Sequence, residues 1–260
     1  DTSPNSMNNS LVSILIVTYN AERYIARTLH SCLKQTYQPT EILILDNAST
    51  DRTASIIKEF RDDRIQLHRS SQNVGPYQGL NILLDKARGA YLAIQDHDDV
   101  WQANKILRQV VFMDLHPDFS ACGTATFYYF EQQRIASLLE KPAITNFVDH
   151  TSLLFRAGPL RYDSTRALPD EHFEIVGLHH LGKIGCLPEP LTLHRIRGDK
   201  GNVSTGRTQG NFRGAREHFT YTHNLAGAAM YLLAGLLPPP LLWWLRRRVT
   251  LRKAQWVDRT

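Results

Sequence analysis

Residues 11–18, LVSILIVT, are almost continuously apolar and β-branched. A strand with one wet face alternates polar and apolar residues, so a run like this must be covered on both faces. Helices are the usual cover, and the chain supplies them. Residues 21–35 place Ile25, Leu29, Cys32 and Leu33 at helical spacing. A second apolar run, EILIL at 41–45, is followed by Ser49, Thr50 and Asp51, which suit the start of a helix holding Ile56, Ile57 and Phe60. A weaker strand at 64–68, a helix at 76–88, a fourth strand at 90–94 and a helix at 101–115 complete the alternation. Strand alternating with helix predicts an α/β fold with a mostly parallel sheet flanked by helices.

The second half is less regular. Strands are expected at 119–130, within 142–155 and at 184–194, with a helix at 171–181. At 260 residues, with 42% hydrophobic and 21% charged residues, the composition excludes a disordered tail, a collagen and a disulfide-stapled mini-domain. Cys32, Cys122 and Cys186 are too few and too scattered for a disulfide framework or a CxxC zinc site, and they fit a reducing compartment. The net charge of +5 sits in the last twenty residues, where six basic residues face Asp258. A near-neutral body with a basic tail argues against nucleic acid as a partner. Residues 1–6, before Met7, read as a remnant foreign to the domain.

Ligands of open parallel sheets sit beyond the carboxyl ends of the strands. Here the four ends carry Thr18, Tyr19 and Asn20; Asp46 and Asn47; Asn73 and Gly75; and Asp96, His97, Asp98 and Asp99. Helix capping accounts for polar residues at any one end, but four polar ends together favour a binding crevice. No GxxxxGK(S/T) loop is present and no GxGxxG follows the first strand, which removes a P-loop and a dinucleotide site. A phosphate-bearing ligand would then need another source of positive charge. On extended backbone Asp96 and Asp98 face the same way and suit one Mg²⁺ or Mn²⁺, with Asp99 on the other side as a helix N-cap.

These segments resemble the family 2 glycosyltransferases of GT-A (Rossmann-like) fold. The match runs from Val12 to Gln109 and continues more sparsely, through LPDEHFE and HRIRGDKGNVS, to Ser204. The resemblance implies a nucleotide-sugar donor and an inverting transfer to an acceptor hydroxyl, the acceptor being a glycan or a lipid-linked glycan of a cell-surface polysaccharide. It assigns Thr18, Tyr19, Asn20 and Glu22 to the first nucleotide-contacting loop and Asp46 to the base, with Asn47 where a second acid usually stands. Asn73 joins the donor site, and Asp96 and Asp98 form a DxD for ribose, metal and diphosphate. It also implies a carboxylate base before the Gly182-Lys183 pair. Asp170 and Glu171 stand there in reversed order; Glu171 falls on the base position, with Asp170 beside it. Arg197 replaces a family histidine and, always protonated, would pair with the diphosphate rather than a metal. His194 remains a candidate metal ligand.

The implied organisation is a nucleotide-sugar-binding half at 7–116, an acceptor-binding and catalytic half at 117–205, and an apolar and basic helical extension at 206–260. Pro238, Pro239 and Pro240 interrupt the uncharged run at 221–245, which speaks against one straight spanning helix. Trp243 and Trp244 beside three arginines fit either attachment to an anionic membrane surface or packing on the core. The expected location is cytoplasmic, peripheral on the inner face of the membrane. A nucleotidyltransferase and a non-catalytic sugar-nucleotide or membrane-binding module are the alternatives.

Overall fold

The computed structural model describes residues 9–139, 143–145, 148–197 and 252–253. The first half runs β1 (Val12–Thr18), α1 (Ile25–Leu33), β2 (Thr40–Asp46), α2 (Thr53–Glu59), β3 (Ile65–Arg69), α3 (Pro76–Leu84), β4 (Tyr91–Ile94), β5 (Val100–Trp101) and α4 (Lys105–Leu115). The second half continues with β6 (Phe119–Phe130), β7 (Ile135–Leu139), β8 (Ile144–Thr145), β9 (Leu154–Arg156), α5 (Pro169–Glu171), a π-helix at His172–Leu178, α6 (His179–Leu181), β10 (Lys183–Ile196) and β11 (Arg252–Lys253).

The expected parallel sheet is present in the first half, where β3, β2, β1 and β4 lie side by side and all parallel. Alternate residues of β1 and β2 serve the two faces, as period two requires. Val12, Ile14, Ile16, Ile42 and Ile44 pack into one apolar layer, while Leu15, Leu43 and Leu45 pack into the other. Each layer is closed by helices, which explains the unbroken apolar runs. On one face Gly79 brings α3 close to β1; a Cβ there would lie 2.9 Å from Val17 Cγ1.

β2 and β3 lie to one side of β1 and β4 to the other. The chain therefore reverses direction across the sheet between β1 and β4, and the crevice of such a switch point opens at their carboxyl ends. Beyond β4 the sheet stops being parallel. β9 and β6 join it antiparallel, β7 is antiparallel to β6, and β10 runs parallel to β6 with register shifts around Pro190. Proline cannot donate to a ladder, so the irregularity at Pro188 and Pro190 has a direct cause.

Three local expectations are corrected. The helix expected from Trp101 begins at Lys105, because Val100 and Trp101 pair with Leu193 and Thr192 as β5. Asp99 caps no helix; its Oδ1 accepts the Arg195 backbone N–H at 2.7 Å. Of the tail, Arg252 and Lys253 pair antiparallel with Leu138 and Ser137, so these two residues extend the sheet and are not helical. The rest of 206–260, with the membrane-surface expectation, lies outside the described residues, as do residues 1–6. Among the described residues no helix is long and apolar enough to cross a membrane.

Candidate active site

The loops after β1 and β2 are laced together at the carboxyl edge. Backbone N–H groups of Asn20, Ala21 and Glu22 donate to Ser49 Oγ, Thr53 Oγ1 and Asp51 Oδ2 at 3.0, 2.7 and 3.1 Å. In return Thr50 N–H donates to Asn20 Oδ1 at 2.9 Å and Arg52 N–H to Glu22 Oε2 at 3.1 Å. Asp46 is fully buried, accepting from Ser49 N–H at 3.0 Å and from Arg69 Nε at 2.9 Å. Asn20, Glu22 and Asp46 thus build the wall of the crevice. Tyr19 stands 43% exposed above it, and the buried Thr18 Oγ1 has no hydrogen-bond partner among the described residues.

Asn47 explains its own departure from an acid. Its Nδ2 donates to Asn73 Oδ1 at 3.0 Å and to Gly75 O at 3.2 Å, while its Oδ1 accepts from Val74 N–H at 3.0 Å. An amide of this shape donates from one end and accepts at the other, whereas an ionised aspartate would only accept and would repel both oxygens. Asn73 Oδ1 also accepts from Gly75 N–H at 2.9 Å, so this side chain is tied to the loop before α3.

The Asp96–Asp99 turn is held from three sides. Thr28 Oγ1 lies 2.9 Å from the carbonyls of both His97 and Asp99 and shares its one proton between them. His97 Nδ1 meets Val17 O at 3.3 Å, and Arg195 Nε donates to Asp98 O at 3.1 Å. These anchors crowd carboxylates that would otherwise spread. Burial raises the pKa of Asp99 well above the usual range, and the Asp98 and Asp96 charges add to this against the pull of His194. Its Oδ2 has no hydrogen-bond partner among the described residues. Asp96, at the floor of the crevice with 44% of its side chain toward solvent, is also raised. Desolvation by the surrounding wall and the neighbouring Asp98 do this, and His150 works against it.

Asp98 is differently placed. Its Oδ2 lies 2.9 Å from Arg197 Nε, with both side chains under a tenth exposed. The Arg197 guanidinium sits 5.3 Å from the centre of the Tyr24 ring. Mn²⁺ or Mg²⁺ shared by Asp96 and Asp98 therefore does not fit this arrangement, because a guanidinium already neutralises one of the two carboxylates. Burial opposes the charge of His194, but Asp149 at 3.0 Å from Nδ1, with Asp99 and Asp96, raises its pKa well above the usual histidine value. Among the described residues no cluster of three or more His, Cys, Asp and Glu is arranged to hold a metal ion.

The two candidate bases part company. Glu171 is buried at 6% exposure, whereas Asp170 is half-buried. Both enter a helix that widens at once into seven residues of π-helix, a geometry frequent at functional sites. Asp170 and Asp96 act on the same ring: burial, then the charges of Glu174, Asp170 and Asp96, raise the Tyr162 phenol far above its ordinary value. Tyr162 Oη lies 3.0 Å from His150 Nε2, and His150 Nδ1 lies 3.9 Å from Asp96 Oδ1. A polar chain thus runs from Tyr162, whose ring stacks on Phe173 of the π-helix, to the Asp96 turn. Asp149, His150 and Tyr162 were not foreseen from the sequence; the adjacent acid and histidine before the apolar 153–155 run were the available sign.

Against known proteins, residues 13–174 match the family model described as "Glycosyl transferase family 2". An Escherichia coli relative, UDP-Glc:alpha-D-GlcNAc-diphosphoundecaprenol beta-1,3-glucosyltransferase WfaP, is 36% identical over 138 residues, 53% of this chain and 54% of that one. The chain spans about half the length of the curated relatives it matches. Among solved structures, the Pyrobaculum calidifontis mannosyltransferase PcManGT, in complex with GDP-Man and Mn²⁺, superposes with a TM-score of 0.68 at 17% identity over 95% of this chain and 82% of its own. Staphylococcus aureus TarS 1-349 with UDP-GlcNAc gives 0.65 at 18% identity over 86% and 71%. The architecture is that of the GT-A glycosyltransferases, and with its family model covering well over half its length this chain belongs to glycosyl transferase family 2.

Proposed function

We propose that the chain transfers a sugar, with inversion, from a nucleoside-diphosphate sugar to a hydroxyl of a lipid-linked glycan. The observation that carries this reading is the gathering of Asp46, Asp96 and Asp98 at the carboxyl edge beside the β1/β4 switch point, in a chain that matches the family model over residues 13–174. Tyr19 and Thr18 face the nucleoside, Asp96 its ribose, and Arg197 the diphosphate, while Asn20, Glu22, Asp46 and Asn73 hold the wall in shape. The acceptor oxygen bonds to C1 as the bond from C1 to the diphosphate oxygen breaks. The electron pair leaves with the diphosphate, and the acceptor proton passes to a carboxylate. Asp170 takes that role in preference to Glu171, whose burial keeps it from an incoming hydroxyl. The relative that acts on a GlcNAc-diphosphoundecaprenol supports a lipid diphosphate acceptor, and such an acceptor would bring the chain to an anionic membrane surface.

The test is release of nucleoside diphosphate from UDP-Glc, UDP-GlcNAc and GDP-Man with a GlcNAc-diphospholipid acceptor. Asp170→Asn should lower turnover by about 10²–10⁴-fold, the range for losing a general base, while Glu171→Gln should retain most of it. Equal turnover in Asp170→Asn and the parent removes the base assignment. No release with any donor removes the reaction.

A further inference from the structure

The Asp98–Arg197 pair has no counterpart in a site built around a shared cation, and it is made with care. Arg197 lies one residue beyond the end of β10 and two residues on from Arg195, and both guanidiniums come to 5.3 Å from the Tyr24 ring. Arg195 fixes the turn by backbone and side chain: its N–H donates to Asp99 Oδ1 at 2.7 Å and its Nε to Asp98 O at 3.1 Å. Its guanidinium is braced between the Tyr24 and Tyr129 rings, 5.3 Å from each. Arg197 shares the Tyr24 ring and puts Nε on the Asp98 carboxylate. Tyr24 in turn donates its hydroxyl to Glu131 Oε2 at 3.1 Å. The guanidinium is therefore held by a ring, a carboxylate and a strand, in a place with little water.

Two consequences follow from charge and shape. A divalent ion bound at Asp98 would sit within a few ångströms of a fixed positive charge, in surroundings that screen poorly. A guanidinium is also planar and presents several N–H donors in a fixed fork, so one group can bridge a carboxylate and a phosphate. We propose that Arg197 takes the place of the divalent cation, so that this chain holds the donor's diphosphate without a bound metal. The inference rests on the donor being a nucleoside diphosphate, as in the function proposed above, and it goes further by naming what neutralises that diphosphate.

Calorimetric titration of the chain with UDP and with GDP, once in EDTA and once in Mn²⁺, tests it without relying on turnover. The expected result is that whichever nucleotide binds does so within about threefold in the two conditions. Arg197→Ala should weaken binding in EDTA by about tenfold or more, the cost of losing a charge-assisted contact. Arg197→His, which restores a side chain able to ligate, should make binding depend on Mn²⁺. Electron paramagnetic resonance should show free Mn²⁺ with the parent chain and bound Mn²⁺ only with the histidine variant. Binding of the parent in Mn²⁺ but not in EDTA overturns this inference and leaves the glycosyl-transfer reading standing. Binding of neither nucleotide in either condition overturns the donor assignment and this inference with it.

Discussion

The sheet treats buried carboxylates in opposite ways at its two ends. At the amino end, Glu41 is 3% exposed and saturated with donors. Its Oε1 accepts from Ser13 Oγ at 2.7 Å and Arg88 N–H at 2.9 Å; its Oε2 accepts from Gln66 Nε2 and from Arg88 Nε and Nη2 at 3.2, 3.0 and 2.7 Å. Burial alone would raise its pKa, yet these bonds bring it below the usual value. At the carboxyl end Asp99 is as deeply buried, and its pKa lies well above. Sequence cannot excuse the difference, since the fold plainly can satisfy a buried acid. The Asp96–Asp99 turn, unlike Asp46 nearby, leaves Asp99 unmatched, as a site that waits for a hydrogen-bonding ligand would.

If the amino end is architecture, breaking it should cost the most stability. Glu41→Ala strands the buried Ser13 hydroxyl and leaves a cavity, for a loss of about 3 kcal/mol. The figure is kept at the low end because Arg88 is 69% exposed and part of its pairing is screened. Glu41 has a depressed pKa in the fold, so its stabilisation is full above the unfolded carboxylate value and fades as pH falls through the folded one. Chemical denaturation of parent and variant should therefore converge in acid. A loss under about 1 kcal/mol at neutral pH would mean the network is ornamental and the contrast between the ends is void.

Asp99 should behave in the reverse sense. Its folded pKa is raised, so protonation favours the folded state, and the advantage is lost as pH rises through the folded value. Asp99→Asn keeps an oxygen for Arg195 N–H and removes a buried charge. It should stabilise the ligand-free chain by about 1–2 kcal/mol at neutral pH, less in acid. Destabilisation at neutral pH would show that the carboxyl end is as well matched as the amino end.

The same contrast explains what could be read in advance. The four parallel strands and their order along the chain were legible because an unbroken apolar run has one structural solution. The Asp96–Asp99 turn was legible because its three acids fall within four residues. Trp101 misled because it also fits a helical stripe, while its place in β5 is set by Thr192, far along the chain. The Asp149–His194 pair joins residues 45 apart in segments with no periodicity, so nothing local announced it. Asn47 was visible as a departure, but its reason required the loop 73–75 to be folded against it. Arg197 was visible as a fixed positive charge; that Asp98 stands beside it needed the two strand ends to meet.

A smaller effect probes how the carboxyl end keeps its shape. Ala48 has φ of +65°, in the left-handed region where a Cβ is disfavoured. It is forced there by its neighbours: Ser49 N–H is bound by Asp46, and Asn47 is fixed by three bonds to residues 73–75. Asn20, the other strained residue of this wall at φ of +47°, is of a type that tolerates the region; alanine is not. Ala48→Gly should thus relieve strain and stabilise by about 1 kcal/mol, raising Tm by about 2–4 °C. Because the turn's hydrogen bonds are untouched, nucleotide affinity should stay the same or fall slightly as the freed backbone loses order before binding. If Tm drops instead, the alanine methyl is packing rather than strained, and the wall between β1 and β2 is as relaxed as the Glu41 end of the sheet.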